Sequence, residues 1–184
     1  ITTNPKAVDM VAQMRVKSDL KALLDNRVSE LIEYQNIEYA QEYTSFVQNV
    51  IDIEKRNGFK DMKLSQAAAR YLFKLMAYKD EYEVARLHLT AGFEDAIKRE
   101  FGANIELSYM LHPPLLRSLG MKKKIKLGKW FNSIYRLLVI MRFLRGTALD
   151  IFGYAKVRRT ERRLITAYKA MVMNALNELN EENY

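Results

Sequence analysis

Between Leu20 and Ile51 apolar side chains return every third or fourth residue. They pass through Leu20, Leu23, Leu24, Val28, Leu31 and Ile32, then through Tyr39, Tyr43, Phe46, Val47, Val50 and Ile51. That step is the period of an α-helix with one buried face, and it is incompatible with the two-residue alternation of a half-buried strand. Ser18 and Asp19 offer an N-cap, and the face can continue to Asn57-Gly58, where both residues tolerate the left-handed backbone of a helix C-terminus. Pro5 suits the first turn of a shorter preceding helix carrying Val8, Val11, Ala12 and Val16. A third helix is expected from about Ser65 through Tyr71, Leu72, Leu75, Met76 and Tyr82 to Leu89, with a short amphipathic one over 91–101. Trp130 to Leu144, stopped by Gly146, and Lys156 to Leu179 complete the helical set.

One segment breaks the pattern. Ile105, Leu107, Tyr109 and Leu111 alternate with Glu106, Ser108 and Met110 before Pro113-Pro114, which reads as a strand. Its partner must lie in another loop or outside this sequence. The predicted fold is mainly α, a bundle of long helices with at most a minor β element near residues 105–111. Seven glycines and three prolines among 184 residues agree, because turn-rich β architectures use more. The length suits a single domain over 1–184, with a tail at 180–184 that is expected to fray.

Composition removes whole classes of chemistry. The absence of cysteine excludes disulfides, thiolate zinc, iron–sulfur ligation and cysteine nucleophiles in this segment. His88 and His112 are too few for a histidine-rich metal site. The most apolar stretch, Ile134 to Leu144, is interrupted by Arg136 and Arg142 and is too short to span a bilayer. No charged and then apolar leader precedes the first helix, so a soluble protein is expected, and the start at Ile1 reads as an excision from a longer chain.

The net charge of +8 is unevenly placed. From Arg117 to Lys169 fifteen Lys and Arg face two acids, Asp150 and Glu161, giving +13 against −5 for the remainder. Such a block attracts nucleic acid, anionic membrane, phosphorylated ligands or acidic protein, unless a missing part of the protein neutralises it. Nucleic acid is disfavoured, because the block has neither a helix-turn-helix nor an aromatic RNA-binding signature.

Catalytic signatures are missing. Gly120 and Gly128 have seven residues between them instead of four, and Trp130 replaces the hydroxyl that would hold magnesium in a phosphate loop. No nucleophile elbow, paired-histidine zinc motif or thiamine diphosphate motif occurs. Two polar clusters remain as candidate sites. In the first, Lys79 and Glu83 stand four apart and Glu83 and Arg86 three apart, so that with Asp80 and Glu81 they make an ion-paired helix or an interface. In the second, Gly146 and Gly153 bracket a tight connection in which Asp150 can bond backbone or pair with Arg145. Behind it Arg158/Arg162 and Arg159/Arg163 form two rows four apart, and Glu161 can reach Arg158. These arginines, with Lys122 and Lys124 in the 120–129 loop, either knit the last helix to acidic helices or bind an anion or acidic partner. His112 and His88 are read as packing residues.

The clusters, taken in order, resemble the helical C-terminal domain of the fused, long-chain indolepyruvate ferredoxin oxidoreductases. The run from Phe73 to Leu87, FKLMAYKDEYEVARL, is similar to a signature of that family. Arg27-Val28, Tyr34-Gln35-Asn36, Tyr39-Ala40 and Tyr43 resemble its preceding helix. Leu111 with Pro113-Pro114-Leu115-Leu116, then Gly128 and Trp130, resemble its double-proline and glycine-tryptophan segments. Leu144-Arg145-Gly146-Thr147, Asp150, Phe152-Gly153, Arg158-Arg159 and Glu161-Arg162 resemble its closing motif. The likeness runs from Asp19 to Tyr168. It departs at His112, where alanine is usual, at Ile151 for proline, and at Ala155 and Val157 for a capping Thr and Glu.

The resemblance implies a cytoplasmic, homo-oligomeric parent enzyme that decarboxylates aryl 2-oxoacids to acyl-CoA and reduces ferredoxin. Its thiamine diphosphate, magnesium and iron–sulfur clusters bind in earlier domains of that long chain, so no catalytic, cofactor or metal residue is expected here. The segment would then be an accessory domain contacting the remaining domains. The alternative is a docking site for coenzyme A phosphates or acidic ferredoxin on the basic 117–169 block.

Overall fold

The long apolar face that runs unbroken through the sequence from Leu20 to Ile51 is cut once in the structure, at Asn36, whose side chain caps the next helix. The computed structural model describes residues 4–14, 16, 18–90, 97, 99–102, 109–111, 125–127, 131–180, 182 and 184. The fold is mainly α, as predicted. Helix α1, Pro5–Gln13, starts where Asn4 accepts a hydrogen bond from the Lys6 amide at 3.0 Å. Helix α2, Ser18–Tyr34, and helix α3, Ile37–Arg56, replace the single helix expected over this stretch. Asn36 is extended and its side-chain oxygen accepts from the Tyr39 amide at 2.9 Å, a cap that starts a new helix. The expected stop holds: α3 ends before Asn57, and Gly58 takes φ +87°.

The expected helix over 65–89 is likewise two, α4 at Lys63–Met76 and α5 at Glu81–Leu89. The break comes at Asp80, whose Oδ1 accepts from the Glu83 amide at 2.8 Å. Strand β1, Tyr109–Leu111, pairs antiparallel with β2, Ile125–Leu127, with Tyr109 opposite Leu127. The strand's missing partner therefore comes from the basic 120–129 loop. Helix α6, Phe131–Ile140, tightens into a 3-10 turn at Met141–Leu144, and Gly146 at φ +77° ends it. Helix α7 spans Lys156–Asn177. Residues 105–108, His112, Pro113-Pro114, Lys122, Lys124, Gly128, Trp130 and most of the expected 91–101 helix lie outside the described residues.

The chain comprises two compact units, 1–78 with 160–184, and 79–159. In the first unit Leu24, Val28, Leu31, Val47, Ile51 and Leu72 are buried together with Tyr43, and Ile165 of α7 joins them. Burying each such aliphatic side chain contributes about 1.5–3 kcal/mol. In the second, Ala85 of α5 and Tyr135 of α6 form a smaller core with Leu89, Leu138 and Val139.

Helix α4 begins without a local cap, because Met62 at its N-cap position makes no side-chain bond and sits at φ +55°. Glu54, fully buried on α3, takes that role. Its Oε1 accepts from the Leu64 amide at 3.0 Å, and its Oε2 from the Ser65 amide at 2.9 Å and from the Ser65 hydroxyl. Tyr184, the last residue of the tail, lies at this corner. Tyr184 stacks on Phe59 at 4.0 Å and donates its phenol to Glu54 Oε1 at 2.8 Å.

Candidate functional site

The Asp80 cluster and the Arg145–Arg159 part of the other polar cluster singled out in sequence meet in the second unit. Asp80, nearly fully buried, caps α5 with Oδ1 and faces the guanidinium of Arg145 with both oxygens. Arg145 Nε donates to Oδ2 at 2.5 Å and a terminal nitrogen to Oδ1 at 2.8 Å. This bidentate fork is the geometry in which arginine binds carboxylate most strongly. The Arg145 guanidinium also lies 5.5 Å from the Tyr82 ring centre.

Asp150 holds the connection closed. Its Oδ2 accepts from the Gly146 amide at 2.8 Å, and its Oδ1 from the Gly153 amide at 3.0 Å and the Tyr82 hydroxyl at 3.2 Å. Of the two roles open to Asp150, backbone bonding is the one it plays, and Arg145 pairs with Asp80 instead. Tyr82 packs edge-on to Phe152 at 5.2 Å, and burial followed by the Asp150 charge pushes its phenol above the ordinary tyrosine range.

Three further cations answer three acids. Arg86 grips Glu83 with two bonds of 2.8 Å, the predicted three-residue pair. Arg158 Nε stands 3.6 Å from Glu81 Oε2, both side chains being largely buried. Burial pushes the Glu81 carboxyl up from its usual range, against the pull of its own backbone amide and Arg158. Lys169, in the first unit, bonds Glu42 at 2.6 Å.

The remaining predicted residues divide plainly. Lys79 precedes α5 and is exposed, so the Lys79–Glu83 helical spacing is not realised. Arg159 donates twice to the Tyr154 carbonyl, at 3.0 and 2.9 Å. Arg163 is exposed, while Glu161 and Arg162 are half-buried. The four-arginine set is thus turned partly inward, with Arg158 toward Glu81 and Arg159 toward its own backbone. His88 Nδ1 donates to the Val84 carbonyl, 2.9 Å away, and the ring packs on Tyr135, which is the packing role expected of it.

Two motif tyrosines of the first unit serve the end of α4, and a third its middle. Tyr39 donates to the Met76 carbonyl at 3.0 Å, Tyr34 to the Tyr78 carbonyl at 3.0 Å, and Tyr43 to the Ala69 carbonyl at 2.8 Å. Arg27 covers the Phe73 ring at 4.3 Å. The sequence reading missed Glu54 and Tyr184. Glu54 sits ten residues before the amide it caps, and its polar position on the buried face of α3 is the one signal that marks it.

Among the described residues no group of three or more histidine, aspartate or glutamate side chains could hold a metal, and no helix is long and apolar enough to cross a membrane. A cleft of about 560 Å3 in the first unit has Leu20, Ile51 and Met62 among its walls and Lys55, Lys60 and Lys63 around them. None of the candidate residues lines it. Residues 20–184 match the model of a family described as a family of unknown function (DUF6537). No curated protein and no solved structure matches the chain.

Proposed function

The chain belongs to the DUF6537 family, and we propose that it is a non-catalytic structural and interaction domain of an enzyme resembling the fused indolepyruvate ferredoxin oxidoreductases. One observation supports this above others: the described motif residues at the centre of the resemblance bond one another and the backbone. Arg145 grips Asp80, Asp150 takes the Gly146 and Gly153 amides and the Tyr82 hydroxyl, and Tyr34, Tyr39 and Tyr43 bond backbone carbonyls. A buried carboxylate already gripped by an arginine and a helix amide is not free to move a proton for a substrate.

In this reading the thiamine diphosphate, magnesium and iron–sulfur clusters belong to other domains of a cytoplasmic, oligomeric parent, and this domain packs against them. The test is to mix the 184-residue chain with the cofactor-loaded remainder of such an enzyme and measure association by calorimetry. A defined complex is expected; no detectable association overturns the proposal.

The second reading, docking of coenzyme A phosphates or an acidic ferredoxin, rests on the +13 block. Arg145 and Arg158 are engaged with acids of this chain, while Arg159 and Arg163 of the same block are exposed. Titration with coenzyme A or ferredoxin at low salt decides it, and binding unaltered in Arg159→Ala plus Arg163→Ala removes it.

A further inference from the structure

The second unit exposes large apolar side chains along Ile134–Val157. Leu137 is 55% exposed, Ile140 68%, Phe143 59% and Leu149 70%, with Ile151 and Tyr154 more than half exposed as well. On α6, Leu137 and Ile140 stand one turn apart, away from the buried Tyr135. Scattered single apolar residues are normal on a surface, whereas Ile134, Leu137 and Ile140 follow one another at one-turn steps along α6, and a continuous exposed apolar row marks a contact.

The charges within the same stretch have one sign. Between Phe131 and Arg159 the sole acid is Asp150, which is buried and bonded to two amides and Tyr82. Arg136, Lys156 and Arg159 are exposed. We propose that the Ile134–Val157 stretch docks an acidic protein surface bearing apolar side chains. This rests on the interaction-domain reading and names the chemistry of its partner.

Two considerations choose that occupant. A symmetric pair of copies meeting through this stretch would set cation against cation, which charge complementarity forbids. An anionic bilayer would satisfy the charge but asks only for a pliant amphipathic segment. Here the shape is set beforehand: Asp150 clamps Gly146 and Gly153, Tyr154 donates to the Ala148 carbonyl at 2.7 Å, and Arg145 is locked on Asp80. A preformed, irregular apolar surface suits a protein partner, because little ordering remains to be done on binding.

The experiment uses the full 184-residue chain and, as probe, the cofactor-loaded remainder of the indolepyruvate-type enzyme. Binding is expected to weaken at least about tenfold in Leu137→Asp plus Ile140→Asp. In Arg136→Glu plus Lys156→Glu it is expected to weaken several-fold, with a shallower salt dependence. These side chains are exposed, and unchanged thermal melting confirms that both variants fold. If the unaltered chain binds but both variants bind equally well, this inference fails while the interaction-domain reading stands. If the unaltered chain does not bind, that reading fails and this inference with it. Vesicles containing anionic phosphatidylserine and sedimentation of the chain alone form the other arms. Binding to vesicles, or self-association, abolished by the same variants would overturn the protein partner.

Discussion

Each unit of this protein buries a carboxylate at the start of a helix, and the two solve the same problem differently. Asp80 caps its own helix α5 and leans on a cation, Arg145. Glu54 reaches from α3 to cap α4 and is met by amides, a hydroxyl and a phenol, with no arginine or lysine among its hydrogen-bond donors in the described residues. A buried charge costs several kcal/mol in lost hydration. In the first case one strong partner offsets it. In the second, several neutral dipoles do, aided by the positive end of α4. The lesson concerns fragility: a charge balanced by one partner is hostage to that partner, while one balanced by many loses them one at a time.

The largest expected effect follows from this. Arg145→Ala strands Asp80 in the interior and is expected to cost about 3–5 kcal/mol of stability, read from urea unfolding. Replacing both partners by Asp80→Asn with Arg145→Met keeps the cap, removes both charges and recovers most of that loss. If the double variant is no better than Arg145→Ala, the single-partner account is wrong. Next comes Glu54→Ala, which orphans the Leu64 and Ser65 amides together and is expected to cost about 2–3 kcal/mol. A cost above that of Arg145→Ala would reverse the comparison.

These two sites also divide what was legible in sequence. Among the described residues the helices are legible in kind, because periodicity reports a buried face without needing to know what buries it. The breaks at Asn36 and Asp80 are not, because the apolar phase carries across each of them. In sequence Asp80 is one charge in an ion-paired run; its backbone position makes it a cap. The pairing of Arg145 with Asp80 across 65 residues is a tertiary fact; sequence offered Asp150, the nearer acid. Glu54 left almost no trace, since cap rules look within four residues and it acts from ten away.

The smaller predictions sharpen the contrast. Tyr184→Phe removes one of Glu54's donors while keeping the stack on Phe59, and Tyr82→Phe removes one of Asp150's. Each is expected to cost about 1 kcal/mol in thermal or urea unfolding. A loss several times larger at Tyr184 would show that Glu54 depends on one donor after all. The smallest effect is on pH dependence. Folding raises the Glu81 carboxyl above its unfolded value, chiefly by burial. The folded state therefore holds this proton longer, and stability falls as pH rises from the ordinary carboxylate range toward the folded value. Glu81→Gln should flatten that part of the stability–pH profile; an unaltered profile would show that Arg158 already neutralises the site.

The distant cap on α4 has a consequence for descent. Because Glu54 does the work, Met62 is released from the duty that usually keeps serine, aspartate or asparagine at the start of a helix, although its φ of +55° still favours glycine or asparagine there. The two positions should therefore drift as a pair through the lineage. Kin that have lost the glutamate should have gained a short polar residue at position 62, and kin that keep it should hold there any residue that tolerates the positive φ.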